Sequence, residues 1–233
     1  MGRREPADKI AQDNNAILAV NGDFLEGLVI RNGELHRKAG PRPTPTPILV
    51  YDVSGEVVID IIDPPEEPYR PERATCVLYY DGRLVTEEYR RFSSTDAMDA
   101  GAWQGWQFGP TLVRNGEATD DVKARGRNPR CMLGYYAPGH YCIVMIDGRQ
   151  KGYSIGMDFS EMTDLALRLG LTEAYNLDGG ASAIMVFDGE IINEPSGSGD
   201  ARNLVDMVVI GEYLAPDELF VPIPPPAPEE TSH

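Results

Sequence analysis

Two-residue turn signals recur along this sequence, and they constrain its fold more than any other feature does. Asn-Gly and Asp-Gly supply the positive φ angles that type I′ turns need, so each pair predicts a β-hairpin where short apolar runs flank it. The pairs are Asn32-Gly33, Ser54-Gly55, Asp81-Gly82, Asn115-Gly116 and Asp188-Gly189. The flanking runs are Ile48–Val53 with Glu56–Ile61, Val77–Tyr80 with Arg83–Thr86, and Ala183–Phe187 with Glu190–Asn193. Asp147-Gly148 precedes a polar stretch and predicts the end of a strand instead.

Helical patterns are fewer than strand patterns. Glu161–Leu169 carries one apolar stripe at helical spacing, with Ser160 as the predicted N-cap and Gly170 as the residue that ends the helix. Ala7–Asn14 and Thr95–Ala102 are the other predicted helices. The predicted fold class is therefore α+β, with a mixed, mostly antiparallel sheet built from successive hairpins and a few covering helices.

The 233 residues predict one main domain, residues 1–214, followed by a proline-rich acidic tail or linker, residues 215–233. Two proline-rich segments inside the domain, Gly40–Pro47 and Asp63–Pro71, predict irregular loops. The tail, which contains Pro-Pro-Pro and Glu-Glu, has the composition of a disordered linker.

The charge of the chain excludes several partners. A net charge of −16 argues against a nucleic-acid binder and against an anionic membrane surface, because both demand a basic face. No apolar run approaches the length of a membrane span, and no signal-peptide core is present in the chain. The sequence thus predicts either a cytoplasmic protein or one whose export segment lies upstream.

Metal and redox motifs are missing from the sequence. Cys76, Cys131 and Cys142 have no spacing typical of zinc or redox sites and are expected to be small buried side chains. The three histidines, His36, His140 and His233, share no ligand spacing. We therefore predict no metal and no cofactor.

The segment Asn176–Ser182, which reads Asn-Leu-Asp-Gly-Gly-Ala-Ser, is the strongest chemical signal. Asp178 follows a predicted strand, and the two glycines after it permit a backbone in which successive N–H groups point at one anion. The alternative is a tight turn in which Asp178 only caps backbone amides. The residues alone leave both interpretations open.

Two further segments place polar groups beside apolar strands. Lys123–Arg130 holds four cations in a strongly acidic chain, and Arg130, which lies next to an apolar run, is expected to point inward and bind phosphate or carboxylate bidentately. Asn21-Gly22-Asp23 ends an apolar strand, although an ordinary hairpin turn would have the same sequence. A Ser/His/Asp hydrolase using Ser182 and His140 is a weaker alternative, because Ser182 is not in a G-x-S-x-G turn.

Taken in order, these segments resemble the phosphodiester glycosidase family, whose namesake removes N-acetylglucosamine from a phosphodiester on lysosomal enzymes. Bacterial relatives are often labelled as exopolysaccharide-biosynthesis proteins. The resemblance runs from Asn15 to Gly211, and Ala181 and Ala183 depart from the usual Gly and hydroxyl residue. Cys131-Met132-Leu133 likewise replaces the common Thr-Ala-Ile. The matching stretches are Ala19–Phe24, Phe108–Leu112, Asn128–Gly134, Asp147–Arg149, Glu161–Gly170, Asn176–Ser182, Ile192–Pro195 and Arg202.

The resemblance implies an enzyme that hydrolyses a sugar-1-phosphodiester, N-acetylglucosamine-like, or a related cell-surface glycan bond. It implies an extracytoplasmic location, a sugar-phosphate or glycan partner, Asp178 as acid/base or nucleophile, and Asp23 or Asp147 as second carboxyl. The implied substrate-binding residues are Asn21, Arg130, Asn176, Gly179, Gly180, Ser182 and Arg202. The rival hypothesis is a non-catalytic glycan-binding module of the cell envelope, in which Trp103 and Trp106 would stack on sugar rings.

Overall fold

The computed structural model describes residues 4–25, 27–38, 49–51, 57–59, 74–88, 91–120, 122, 125–196 and 201–211. The α-helices are α1 (Ala7–Asp13), α2 (Ser94–Asp99) and α3 (Phe159–Arg168), and a 3-10 turn spans Gly180–Ser182. Within those ranges, none of the helices has the length and apolar character needed to cross a bilayer.

Strands make up most of the described chain. They are β1 (Ala16–Asn21), β2 (Val29–Arg31), β3 (Glu34–Arg37), β4 (Leu49–Tyr51), β5 (Val57–Ile59), β6 (Ala74–Tyr79), β7 (Leu84–Glu88), β8 (Ala102–Phe108), β9 (Thr111–Arg114), β10 (Glu117–Ala118), β11 (Arg130–Ala137), β12 (His140–Ile146), β13 (Glu173–Asn176), β14 (Met185–Phe187), β15 (Glu190–Ile191) and β16 (Met207–Gly211).

The strands form three sheets and one separate hairpin. The sheets have the orders β15-β14-β1-β16, β10-β9-β13-β11-β12 and β3-β2-β8-β6-β7, and β4 pairs with β5. Every strand pairing in the described part is antiparallel. The mostly antiparallel sheet of the sequence prediction is confirmed, but the fold is closer to all-β than to α+β, since only short helices cover the sheets.

The turn dipeptides form the predicted hairpins. Asn32-Gly33 joins β2 to β3 and Asp188-Gly189 joins β14 to β15, with positive φ at both residues of each pair. Asp81-Gly82 joins β6 to β7, and Asn115-Gly116 joins β9 to the short β10. The turn at Ser54-Gly55 lies outside the described residues, although the strands that flank it pair as predicted. Strand β12 ends just before Asp147, as predicted.

Helix α3 begins earlier than the sequence predicted. Its N-cap is Asp158, so the assignment of Ser160 is wrong. Asp158 Oδ1 accepts from the N–H of Glu161 at 2.9 Å, and Glu161 Oε2 accepts from the N–H of Asp158 at 3.1 Å. This reciprocal capping box satisfies two otherwise unpaired amides. Gly170 adopts φ +74° after the last turn, as a terminating glycine should.

The other helices match their predictions with shifted ends. Helix α1 covers most of Ala7–Asn14. Helix α2 is shorter than Thr95–Ala102, because Gly101 adopts φ +83° and Ala102 already opens β8. The proline-rich segment Gly40–Pro47, the segment Asp63–Pro71 and the predicted tail lie outside the described residues, so the domain boundary at residue 214 stays a prediction.

Two packed cores hold the central strands in place. One lies between the three sheets and contains Val20, Trp106, Leu133, Tyr175 and Leu177 among its buried members. The other is covered by α3, whose apolar stripe packs on the second sheet. The centres of β11 and β13 are thus fixed by burial on both sides, and the other side of β1 packs in a third cluster that contains Ala19 and Ile184. The ends of these three strands carry the polar segments that the sequence singled out.

Candidate functional site

The ends of β1 and β13 and the start of β11 meet through backbone hydrogen bonds. The N–H of Asp178 donates to Gly22 O at 3.0 Å, and the N–H of Leu177 donates to Cys131 O at 2.9 Å. The Asn21 side chain adds a third link, because its Nδ2 donates to Asp178 O at 2.6 Å. Three segments far apart in the sequence therefore converge on Asp178.

The Asp178 carboxylate lies partly exposed at this junction. Its Oδ1 accepts from the N–H of Gly179 at 2.8 Å, which orients the side chain at the strand end. The carboxylate also lies close to the packed core. Burial, and then the negative charge of Asp178, raises the pKa of the Cys131 thiol. Asp178 is thus a fixed carboxylate between solvent and the packed core.

The two glycines do not form the anion nest that the sequence suggested. The Gly179 N–H donates to Asp178, and the Gly180 N–H donates to Pro129 O at 2.9 Å, so both amides are used within the protein. Both glycines are required sterically instead. A Cβ on Gly179 would lie 2.6 Å from Pro129 O, and Gly180 adopts φ +63°. The tight-turn interpretation accounts for the backbone of this segment.

Arg130 enters the protein as the sequence predicted and is only 9% exposed. Its Nε donates to Met157 O and its Nη2 to Gly126 O, each at 3.2 Å, and its guanidinium lies 4.0 Å from the centre of the Phe159 ring. Burial, and then repulsion from Arg125 and Arg149, lowers the pKa of Arg130 to about 10. The site therefore concentrates positive charge in an acidic protein.

Arg149 belongs to this cluster, and the sequence did not single it out as a site residue. Its Nε and Nη2 donate to Asn128 Oδ1 at 3.0 and 2.8 Å. The same guanidinium occupies the space beside Gly180, where an added Cβ would lie 3.0 Å from Nη2. The sequence signals were a cation directly after a strand-ending Asp-Gly pair and the family resemblance of Asp147–Arg149, and neither reveals the direction of the side chain.

Asn21 and Asn176 are both buried, and their side chains form hydrogen bonds with backbone groups. Asn21 Oδ1 also accepts from the N–H of Ile184 at 3.4 Å, which ties β1 to the segment after the 3-10 turn. Asn176 Nδ2 donates to Gly109 O at 2.8 Å, and its buried Oδ1 has no hydrogen-bond partner among the described residues. The predicted contacts of these two side chains with sugar hydroxyls remain predictions.

Ser182 and Arg202 lie on the other side of the 3-10 turn. Arg202 Nη1 donates to the buried Ser182 Oγ at 3.2 Å, and the guanidinium lies 5.4 Å from the centre of the Phe24 ring. The pair joins the segment before β16 to the turn that follows Asp178. The structure thus brings the two residues together, and their contact with substrate stays a prediction.

Asp23 is completely buried behind the junction. Its Oδ1 and Oδ2 accept from the N–H groups of Leu25 and Gln107 at 2.9 and 2.8 Å. The Asp206 carboxylate accepts from the N–H of Asp23 at 3.2 Å, and Arg31 Nη2 lies 3.0 Å from Asp206 and 3.7 Å from Asp23. Burial and the Asp206 charge raise the pKa of Asp23 to about 8, and Arg31 opposes that rise.

The Asp147 carboxylate links the end of β12 to residues 193–194. Its Oδ1 accepts from Asn193 Nδ2 at 2.8 Å, and its Oδ2 accepts from Tyr153 Oη at 2.9 Å and from the N–H of Glu194 at 3.0 Å. Asp23 and Asp147 therefore both have their oxygens engaged by protein donors. The role of either one as a second carboxyl stays a prediction.

A separate cleft of about 690 Å³ opens between the three sheets. It is lined mainly by apolar side chains, with Trp103, Trp106, Arg31 and Asp206 among them, and neither Asp178 nor Arg130 lines it. Trp106 is almost fully buried, and Trp103 packs on Tyr80 with ring centres 4.6 Å apart. Among the residues that the structure describes, no group of His, Cys, Asp and Glu side chains has the arrangement of a metal site.

Solved structures share this fold. The catalytic domain of zebrafish N-acetylglucosamine-1-phosphodiester alpha-N-acetylglucosaminidase, auto-inhibited by its pro-peptide, aligns over 91% of this chain and 68% of that chain, with a TM-score of 0.66 and 20% identity. A Burkholderia pseudomallei protein named as a candidate exported protein aligns over 91% of this chain and 68% of that chain, with a TM-score of 0.56 and 18% identity.

Sequence comparison extends the likeness. The chain is 30% identical over 219 residues to the SPbeta prophage-derived protein YomE of Bacillus subtilis. The aligned region covers 89% of this chain but only 30% of the length of that relative. The model of the phosphodiester glycosidase family matches residues 14–211, which include every segment that converges on Asp178. The expected resemblance is confirmed, and the chain belongs to the phosphodiester glycosidase family.

Proposed function

We propose that this protein hydrolyses the bond between a sugar C1 and the phosphate of a sugar-1-phosphodiester. The observation that carries the proposal is a partly exposed carboxylate, Asp178, fixed beside a turn that the guanidinium of Arg149 contacts. Arg130, a buried cation, lies close enough to Arg149 for the charge of Arg149 to lower the pKa of Arg130. A carboxylate and an anion site side by side suit a substrate that joins sugar to phosphate.

The proposed chemistry needs one carboxylate and a cationic site. A phosphate monoester is a good leaving group, so little proton donation to the departing oxygen is needed. Arg130 holds the phosphate, and Asp178 either takes the proton of the attacking water or itself attacks C1. In both cases the C1–O bond breaks with its electron pair on the phosphate oxygen, and water supplies the new C1 hydroxyl.

The other two carboxylates fit supporting roles better. Asp23 is buried and accepts from two backbone N–H groups, and Asp147 accepts from three protein donors. Using either as a general acid would require these hydrogen bonds to open. The proposal therefore places Asp178 at the reacting carbon and makes Asp23 and Asp147 supports of the loops beside it.

The finer identity of the substrate follows from the relatives by analogy. The zebrafish enzyme is named for N-acetylglucosamine-1-phosphodiester, so an N-acetylglucosamine-like sugar or a related cell-surface glycan is the first substrate class to test. An extracytoplasmic location, with an export signal upstream, belongs to the same proposal. It is suggested by the name of the Burkholderia relative.

The rival function is glycan binding without turnover. It is favoured by the cleft that contains Trp103, because partly exposed tryptophan next to polar groups is typical of sugar-stacking surfaces. The two functions place the ligand at different sites, since neither Asp178 nor Arg130 lines that cleft. Substitution of Asp178 therefore distinguishes them.

The experiment compares the parent with Asp178→Asn on an α-N-acetylglucosamine 1-phosphate methyl ester. Asn keeps an acceptor for the Gly179 N–H but carries neither a proton nor a negative charge, so turnover should fall by about 100- to 10,000-fold. The melting temperature and the affinity for the substrate should stay close to those of the parent. Asp164→Asn, an exposed change on α3, is the matched control.

The outcomes separate the hypotheses. Turnover by Asp178→Asn within a few-fold of the parent removes Asp178 from the mechanism. A parent that binds the glycan but releases no sugar from any 1-phosphodiester favours the rival. A folded, binding but inactive Asp178→Asn supports the enzyme.

A further inference from the structure

The backbone of Arg149 adopts an unfavourable conformation for an arginine. Its φ is +60°, a region that side chains other than Asn, Asp and Gly rarely occupy. Such a conformation is strained and persists only where surrounding contacts impose it. Asn128 supplies such contacts, because its Oδ1 accepts from both Nε and Nη2 of Arg149. The guanidinium is exposed but fixed in direction.

The support beneath Arg149 is close-packed backbone. A Cβ on Gly148 would lie 2.7 Å from Pro129 N, and a Cβ on Gly156 would lie 2.3 Å from Asn128 O. Residues 128 and 157 also exchange two backbone hydrogen bonds of 3.1 Å. The loop that carries Arg149 and the loop that carries Asn128 are therefore packed against each other, which preorganises the guanidinium beside the Gly179-Gly180 turn.

The charges of Arg130 and Arg149 repel each other, and the charge of Asp158 offsets that repulsion only in part. Throughout the described part of the chain, no carboxylate lies within the 4.0 Å salt-bridge distance of the guanidinium of Arg130 or of Arg149. By contrast, Arg127 in the same loop pairs with Glu161. Bringing a buried cation close to a second cation is unfavourable unless an anion joins them.

We infer that Arg149, positioned by Asn128, is a second phosphate-binding residue that acts with Arg130 on the leaving phosphate. This inference rests on the proposed function. The diester phosphate carries one negative charge before reaction. As the C1–O bond breaks, its electron pair moves to the phosphate oxygen, and the phosphate then carries two negative charges. Water gives its hydroxyl to C1 and its proton to Asp178. A pair of guanidinium groups stabilises the second charge as it develops.

The binding test uses titration calorimetry with methyl phosphate, a dianionic monoester, and dimethyl phosphate, a monoanionic diester. The parent should bind methyl phosphate more tightly than dimethyl phosphate. Arg149→Gln should weaken methyl phosphate binding by about tenfold or more, because it removes a charge-assisted hydrogen-bond donor. Arg149→Lys should recover part of that loss. Arg127→Gln is the matched control and should bind within about twofold of the parent, since Arg127 is paired with Glu161.

The kinetic test measures the sugar 1-phosphate methyl ester with the same variants. Arg149→Gln should lower kcat more than it raises KM, because the second charge exists only after the bond begins to break. Equal methyl phosphate affinity in the parent and Arg149→Gln, or no binding by the parent, overturns the inference. A parent that binds methyl phosphate through Arg149 yet turns over no sugar 1-phosphodiester supports the anion site and overturns the proposed function.

Discussion

Two clusters of charged side chains lie on either side of the contact between Gly22 and Asp178, and they differ in how their charges are balanced. Behind the contact, Asp23 and Asp206 face Arg31, and both carboxylates accept from protein donors. In front of it, Arg130 and Arg149 lie near each other, and neither has a carboxylate within salt-bridge distance among the residues described.

The difference suggests different roles for the two clusters, one structural and, in the proposed function, one in binding. A buried charge that finds its partners inside the protein holds the fold, whereas a buried charge left without a counter-ion indicates a ligand. The acidic cluster fixes Gly22 and Asp23, and Gly22 in turn accepts from Asp178. In the cationic cluster, the guanidinium of Arg149 lies beside Gly180, two residues after Asp178. One cluster supports Asp178, and in the proposed function the other supplies the charge that binds phosphate.

The largest expected effect is on stability and comes from Arg31→Met. This change removes the Arg31 counter-ion of the buried Asp206 carboxylate, which lies beside the protonated Asp23, and should cost about 3–5 kcal/mol of unfolding free energy near neutral pH. Urea unfolding measures it. The matched control is Arg83→Met, which breaks the exposed pair with Asp81 and should cost less than about 1 kcal/mol. Equal losses in both variants would contradict the structural role of the acidic cluster.

The next effect is the pH dependence of stability. The pKa of Asp23 is about 8 in the folded protein and about 3.9 in an unfolded chain, so between these values the folded state holds a proton that the unfolded state has released. The stabilisation that Asp23 contributes is fully present below its pKa in the unfolded chain, and it is lost as the pH rises through its pKa in the folded protein. The slope from this group is up to about 1.4 kcal/mol per pH unit.

Asp23→Asn should remove that part of the slope. Urea midpoints at several pH values between the two pKa values of Asp23 would show it, with the variant flatter than the parent. A residual slope of the same sign is expected from Glu173, whose pKa burial also raises. Parallel slopes in parent and variant would mean that Asp23 is ionised in the folded protein.

The third effect is on function rather than folding. Arg130→Lys keeps one positive charge but loses the planar fork and the contact with Phe159, so use of phosphodiester substrates should fall by about tenfold or more. The melting temperature should change by only about 4 °C or less. Kinetics and a thermal melt on the same sample measure both. A variant with unchanged kinetics but a much lower melting temperature would place Arg130 with the structural charges.

The local sequence was enough to predict most of the fold. Positive φ at Asn32-Gly33 and Asp188-Gly189 is a property of the dipeptides themselves, so those hairpins followed directly. The N-cap of α3 was missed because Ser160 is also a good cap, and only the reciprocal bonds of Asp158 and Glu161 decide between them. The fold class was set too far toward α+β because strands without turn dipeptides, such as β8, carry weak patterns.

The site was predictable in its segments but not in its contacts. The sequence order pointed to Asn21, Arg130 and Asp178, and their segments do converge. It did not show that Asp23 turns away toward Asp206, or that Arg149 turns toward Gly180. Both facts depend on packing between residues far apart in the chain, which no local pattern contains.

The most direct test of the account is hydrolysis of the sugar 1-phosphate methyl ester in water enriched with oxygen-18. An enzyme that breaks the C1–O bond, with Asp178 at the sugar carbon and the arginines on the leaving phosphate, places the label in the C1 hydroxyl of the released sugar. Mass spectrometry of both products reads the position of the label. We expect labelled sugar and unlabelled methyl phosphate. Labelled methyl phosphate with unlabelled sugar would mean attack at phosphorus and would contradict it.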